Sequence, residues 1–128
     1  MELKFLGRGS AFNVKEGNTS AYFIEEDQLF LIDCGEDVFA KLKQKSLLSG
    51  VRAVNLMITH THSDHIGSLG SLVLYLYTVL HRPLKIILPD NEEYRKLVRQ
   101  ILEGFGCIEE MYDLALDTQL DDKFKSFS

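Results

Sequence analysis

The 128-residue sequence predicts an α/β (α+β) domain with the element order βββαβαβα. Three observations carry that expectation. Apolar runs near the start lie close together and are joined by short polar turns, which makes an antiparallel opening. Strand-like and helix-like segments then alternate. The last helical segment has the clearest periodicity in the chain, with Tyr94, Leu97, Val98, Ile101, Leu102 and Phe105 at i, i+3, i+4, i+7, i+8 and i+11.

Residues 2–6 alternate charged and apolar side chains and read as a strand, broken by Gly7, Gly9 and Ser10. Gly17-Asn18 turns the chain into the apolar run 21–24. Glu25-Glu26-Asp27 turns it again into a short buried strand at 29–32, which ends at Asp33-Cys34-Gly35. A helical pattern through Val38, Phe39 and Leu42 runs towards Gly50. Leu56-Met57-Ile58 is the fourth strand. The helix after it carries Leu69, Leu72, Val73, Leu76, Val79 and Leu80 on one face, and Pro83 stops it. Residues 84–88 are the fifth strand. Asp90 and Glu93 have the spacing of a capping box at the start of the last helix, and Gly104 or Gly106 ends it. Tyr112, Leu114, Leu116 and Leu120 alternate as in a further strand, and residues 123–128 begin another.

Residues 1–128 read as one domain, with no internal repeat and no linker. Apolar residues make up 45% and charged residues 26%, which excludes a disordered chain and a disulfide-stapled miniprotein. The formal net charge is −5, and residues 101–122 hold seven acidic and no basic side chains. That balance argues against non-specific nucleic-acid binding through phosphates, and leaves room for a small anionic substrate held by specific groups or by a metal. Cys34 and Cys107 form no CxxC pair and read as free thiols of a reducing compartment. Residues 1–10 contain no apolar signal core, and the longest apolar stretch, 69–80, is interrupted by Gly70 and Ser71 and too short to span a bilayer. A cytoplasmic protein with no membrane partner is expected.

Residues 59–65 read Thr-His-Thr-His-Ser-Asp-His, so three of the four histidines fall within six positions directly after a buried strand. Open α/β sheets place ligands at the carboxyl ends of their strands. In an extended segment His60 and His62 point the same way and can approach one ion. Asp64 and His65, where the chain turns towards a helix, can reach a second. Imidazole and carboxylate suit Zn²⁺, Fe²⁺ or Mn²⁺. A solvated histidine-rich loop is the alternative, but four ligand-type residues in six after a core strand favour a metal site. The helix near His65 would also turn a positive N-terminal end to the same pocket.

His60-Thr61-His62-Ser63-Asp64-His65 matches the HxHxDH signature of the metallo-β-lactamase superfamily. Leu31-Ile32-Asp33-Cys34-Gly35 resembles that family's strand ending in Asp-x-Gly. Residues 3–9 followed by Gly17-Asn18-Thr19-Ser20 resemble the opening of the ribonuclease Z branch. They also resemble small cyclic-nucleotide phosphodiesterases within it, including anti-Pycsar-like phage proteins that destroy cyclic-nucleotide defence signals.

The resemblance implies a four-layer αββα sandwich of which this chain is the N-terminal half. It implies two divalent metal ions, zinc first and manganese or iron as alternatives. His60 and His62 would hold one, Asp64 and His65 the other. Asp33 would orient a ligand from beneath, so that Asp64 and Asp33 are the carboxylates implied in catalysis. Asn18, Thr19 and Ser20 would line the floor against substrate. The implied activity is hydrolysis of a phosphodiester, on a nucleotide or cyclic nucleotide, by a metal-activated hydroxide shared between the two ions.

The family's second half contributes further histidines and a bridging aspartate, and this sequence has no histidine after His81. The chain is therefore expected to be truncated before its C-terminal half, with the activity belonging to the complete domain. His81 reads as a helix-end surface residue. Asp113, Asp117, Asp121 and Asp122 read as a solvated acidic face. Leu3, Phe5, Phe23, Leu31 and Ile58 are expected to present one uncovered apolar face, so a homo-oligomer is expected. Two other readings stay open: a lactone or thioester hydrolase or oxygen-using enzyme of the same fold, and a non-catalytic half-domain serving as a binding or assembly module.

Overall fold

Six strands, laid side by side in chain order, form one mixed sheet in the computed structural model, which describes residues 3–7, 20–59 and 63–116, with the backbone alone at 63 and 64. The first three are β1 (Lys4–Gly7), β2 (Ser20–Glu25) and β3 (Gln28–Ile32), paired antiparallel. The β2–β3 hairpin closes on Glu26-Asp27, with Glu25 opposite Gln28 and φ of 54° and 62° at the two turn residues. Positive φ at both central positions is the geometry that matches the twist of hairpin strands, and it is reached here without glycine.

From β3 onward the sheet is parallel, through β4 (Ala53–Met57), β5 (Leu84–Leu88) and β6 (Tyr112–Leu116). The crossovers carry α1 (Val38–Gln44), α2 (Ser63–Ile66), α3 (Leu69–Thr78) and α4 (Glu92–Gly104), with a 3₁₀ turn at Glu109–Met111. The antiparallel opening and the later alternation are as the sequence predicts. The first helix is shorter than expected: it ends at Gln44, and residues 45–50 continue as turns around Ser46 at φ 53°. The capping box at Asp90 and Glu93 is a misreading by one residue. Asn91 is the cap, its Oδ1 accepting from the backbone N–H of Glu93 (2.9 Å) and Tyr94 (3.2 Å). The expected strand at 123–128 lies outside the described residues.

Strand alternation splits the apolar side chains between two faces. One face packs against the helices: Tyr22, Leu29, Leu31, Val54, Leu56, Ile58, Leu84, Ile86 and Leu88 join Leu42, Leu69, Leu72, Leu76, Val98 and Leu102 in the main core. The other face holds Phe23, Phe30, Met57 and Ile87, with Leu3 against them. Phe23 and Phe30 are register partners whose rings stack at 4.7 Å. The expected single face of Leu3, Phe5, Phe23, Leu31 and Ile58 is corrected by this register. Leu31 pairs with Tyr22, and Ile58 follows β4 in phase with Leu56, so both lie on the helix side and are buried. Among the described residues no helix is long and apolar enough to cross a membrane.

Candidate metal centre

Parallel pairing of β3 with β4 brings their carboxyl ends to one edge, where Asp33 and Thr59 follow them. Asp33 turns the chain with φ 61° and still donates its N–H to the Met57 carbonyl at 2.8 Å. Left-handed backbone suits aspartate better than most residues with a β-carbon. Its carbonyl accepts from the Ser20 hydroxyl at 2.9 Å, and that hydroxyl also reaches the Ile32 carbonyl at 3.0 Å. Ser20, expected on the floor of a substrate site, is buried and uses its proton to hold this turn.

The Asp33 side chain is buried, and three donors converge on its carboxylate. Oδ1 accepts from the Thr59 N–H at 2.7 Å. Oδ2 accepts from the Thr59 hydroxyl at 2.5 Å and from Nδ1 of His65 at 2.8 Å. An ionised carboxylate only accepts, so the proton between Asp33 and His65 sits on Nδ1. In the neutral imidazole Nε2 then carries the lone pair. Metal-binding histidines are usually set in this way, by an outer carboxylate that holds the tautomer and the ring orientation.

The backbone closes around the same pair. Cys34 donates its N–H to the His65 carbonyl at 2.6 Å, and Ser68 donates to the Cys34 carbonyl at 3.1 Å. On the other side Tyr94, from the first turn of α4, donates its hydroxyl to the Thr59 carbonyl at 3.3 Å. Burial pushes the Cys34 thiol up from its ordinary 9.0 to about 12, with Asp33 and Asp37 adding to the rise and the Ser68 hydrogen bond opposing it. Cys34 is thus held as a buried thiol at neutral pH.

Two of the sequence-derived residues, Asp33 and His65, are in contact. His60 and His62 lie outside the described residues, as do Asn18 and Thr19. Asp64 is one residue before His65 in the one-turn helix α2. Among the described residues no three His, Cys, Asp or Glu side chains gather as metal ligands. His65 nonetheless fits a divalent ion by its donor chemistry, with Nδ1 held by a carboxylate and Nε2 the ligating nitrogen of the neutral ring.

The expected helix N-terminus is corrected. Residues 67–68 separate the single turn α2 from α3, which starts only at Leu69, so the helix at His65 is one turn long. His81 is exposed at φ 57°, just before β5 and so at the opposite end of the sheet. Sequence reasoning did not find Thr59, Ser68 or Tyr94. Thr59 could have been suspected from its place before His60, whereas nothing local marks Tyr94.

A sequence profile described as "Anti-Pycsar protein Apyc1" matches residues 1–126. The chain is 34% identical over 126 residues to the anti-Pycsar protein Apyc1 of Bacillus phage BSP38, covering 96% of this chain and 47% of that protein. It is 36% identical over 111 residues to ribonuclease Z of Methanococcus aeolicus, covering 84% and 34%. The fold resembles human tRNase Z, short form, with a TM-score of 0.66 at 25% identity over 91% of this chain and 43% of that one. It also resembles the metallo-β-lactamase fold protein YhfI of Bacillus subtilis, with a TM-score of 0.65 at 24% identity over 89% and 44%. The chain thus spans less than half the length of each of these proteins.

Proposed function

This chain belongs to the anti-Pycsar protein Apyc1 family, within the ribonuclease Z-like metallo-β-lactamase superfamily, and we propose that it serves metal-dependent hydrolysis of a cyclic-nucleotide phosphodiester. The related ribonuclease Z proteins are hydrolases. The observation that carries the reading is the buried Asp33 carboxylate, which holds Nδ1 of His65, the final histidine of the HxHxDH segment, at 2.8 Å.

In this proposal His60 and His62 hold one divalent ion and Asp64 and His65 the other, zinc first, with manganese or iron as substitutes. When bound, such ions act as Lewis acids on phosphoryl oxygens and acidify a bound water. The chain's own part is orientation. Asp33 keeps the Nδ1 proton of His65 in place, so the imidazole presents Nε2 in one direction and does not rotate. Thr59, tied to the same carboxylate through its N–H and its hydroxyl, fixes where the segment beginning at His60 departs from the sheet. Asn18 and Thr19 are proposed as substrate contacts.

The acidic balance supports a small substrate over a long polyanion. A chain with net charge −5 and with seven acidic and no basic side chains at 101–122 repels an RNA backbone. A single phosphodiester drawn to two ions avoids most of that repulsion. A cytoplasmic location and a homo-oligomeric assembly belong to the same proposal.

The test is a chimera in which residues 1–126 replace the matching segment of the Bacillus phage BSP38 relative, which supplies the length this chain lacks. The chimera should hydrolyse a cyclic nucleotide and bis-nitrophenyl phosphate, lose both activities to a chelator, and regain them with Zn²⁺ or Mn²⁺. Cleavage of a lactone or thioester with no phosphodiester hydrolysis would overturn the substrate assignment.

A further inference from the structure

Ser68 stands at the N-cap of α3 yet makes no side-chain cap to its own helix. Serine at that position ordinarily accepts from an N–H two or three residues on. Here the hydroxyl is turned across to another element. Its oxygen accepts from the N–H of Phe39 at 3.1 Å, in the first turn of α1. That N–H is one of the donors a helix start leaves open, and Asp37, the N-cap residue of α1, gives no side-chain cap either. The hydroxyl donates its one proton to the Gly35 carbonyl. Cys34 Sγ lies within hydrogen-bond distance of the Ser68 hydroxyl oxygen, 3.3 Å away.

The backbone of Ser68 completes the attachment. Its N–H donates to the Cys34 carbonyl at 3.1 Å, while the Cys34 N–H donates to the His65 carbonyl at 2.6 Å. Residues 33–35, which carry the Asp33 carboxylate, are thereby joined at several points to residues 65–68, which carry the imidazole. Ser68 is itself buried. Each of its polar contacts reaches the segment from Cys34 to Phe39, apart from the Leu72 N–H on its carbonyl, an ordinary bond of α3.

We propose that Ser68 is a positioning residue for the metal centre: by capping α1 in place of its own helix it locks the Asp33 loop to α2 and sets the distance from Asp33 to the His65 ring. This rests on the reading of His65 as a metal ligand. No contact between Ser68 and an ion is involved. Its effect passes through the Cys34–His65 backbone pair.

The test compares Co²⁺ affinity and the Co²⁺ absorption spectrum across variants of the 128-residue chain. Ser68→Ala should weaken Co²⁺ binding about 10- to 100-fold, the range found when groups behind a ligand are removed, and alter the ligand-field bands. Ser68→Cys, close in size with a weaker donor, should fall between the two and covers the case that the alanine variant does not fold. Val73→Ala, a core truncation on α3 away from this contact, should lower the melting temperature and leave Co²⁺ affinity at the parent value. Equal losses of affinity in the Val73 and Ser68 variants would overturn the proposal, leaving Ser68 a purely structural residue. So would parental affinity in both Ser68 variants alongside weakened binding in His65→Ala. Parental affinity in His65→Ala would remove the metal reading beneath it, an outcome distinct from failure of Ser68 alone.

Discussion

Asp33 and Thr59 meet through two hydrogen bonds, one carboxylate oxygen on the Thr59 N–H at 2.7 Å and the other on its hydroxyl at 2.5 Å. The residue that orients His65 thus also anchors the first residue of the histidine segment. Asp33→Asn should separate these duties. Asparagine tolerates φ 61° and can still accept from the Thr59 N–H, but its amide nitrogen cannot accept from the Thr59 hydroxyl or from Nδ1 of His65. The variant should fold and lose about 1–3 kcal/mol for the donors left without an acceptor, with metal affinity down about 10- to 100-fold. Thermal melts and calorimetric zinc titration measure the two effects, and unchanged zinc affinity would contradict the orienting role.

Gly70 lies in α3 under the Phe105 side chain. A β-carbon at position 70 would come within 2.8 Å of the ring and 3.0 Å of the Phe105 β-carbon. Alanine is favoured over glycine in a helix by about 1 kcal/mol, so the sign of Gly70→Ala shows which effect wins. Overpacking against the near end of a side chain costs about 1–3 kcal/mol, and Gly70→Ala should be destabilising on balance. In a Phe105→Ala background the same change should cost less, because the ring contacts are gone and only the 3.0 Å approach to the β-carbon remains. A double-mutant cycle by urea denaturation reads the difference.

Stability should fall in alkali. The Cys34 thiol is raised to about 12 in the folded state from an ordinary 9.0, and burial raises Cys107 as well. Above pH 9 the unfolded chain loses thiol protons that the folded chain keeps, so unfolding is favoured as pH rises. For Cys34 the contribution is complete below pH 9 and is lost progressively between pH 9 and 12, at up to about 1.4 kcal/mol per pH unit. Urea denaturation from pH 8 to 10.5 should show this slope, and Cys34→Ala should flatten it. An equal slope in that variant would assign the effect elsewhere.

Asn91→Ala should cost about 1 kcal/mol, since Oδ1 of Asn91 takes two open N–H groups of α4. Asp90→Ala should cost far less. Thermal denaturation of the pair distinguishes the cap seen in the structure from the one that sequence spacing suggests.

Much of this fold is legible from local patterns. Short apolar runs mark β2, β3 and β5, whose residues are mostly buried on both faces of the sheet, and the 3.6-residue period marks α4, which buries one face. Face assignment needed the register: Leu31 and Phe23 are equally apolar, and only the pairing of Leu31 with Tyr22 shows that they point to opposite sides. The site was half legible. His65 and Asp33 stand out through a spaced motif and a strand-ending Asp-x-Gly. Ser68 and Tyr94 act through hydrogen bonds to residues distant in sequence, and a serine after glycine or a tyrosine on an amphipathic helix has many ordinary uses. The break at residues 67–68 was hidden because the apolar spacing of α3 extends smoothly from Leu69 and nothing apolar contradicts a longer helix.

Metal-dependent hydrolysis at the HxHxDH segment is tested by cyclic-nucleotide turnover in the chimera carrying Asp64→Ala, set beside the same chimera carrying His81→Ala. Asp64 belongs to the HxHxDH segment, whereas His81 is an exposed residue at the other end of the sheet. Asp64→Ala should lose several orders of magnitude, because one of two charges that stabilise the phosphoryl oxygens goes with its ligand. His81→Ala should keep nearly parental activity, and both variants should melt near the parent. Parental hydrolysis in Asp64→Ala, or an equal loss in His81→Ala, would contradict hydrolysis at that segment.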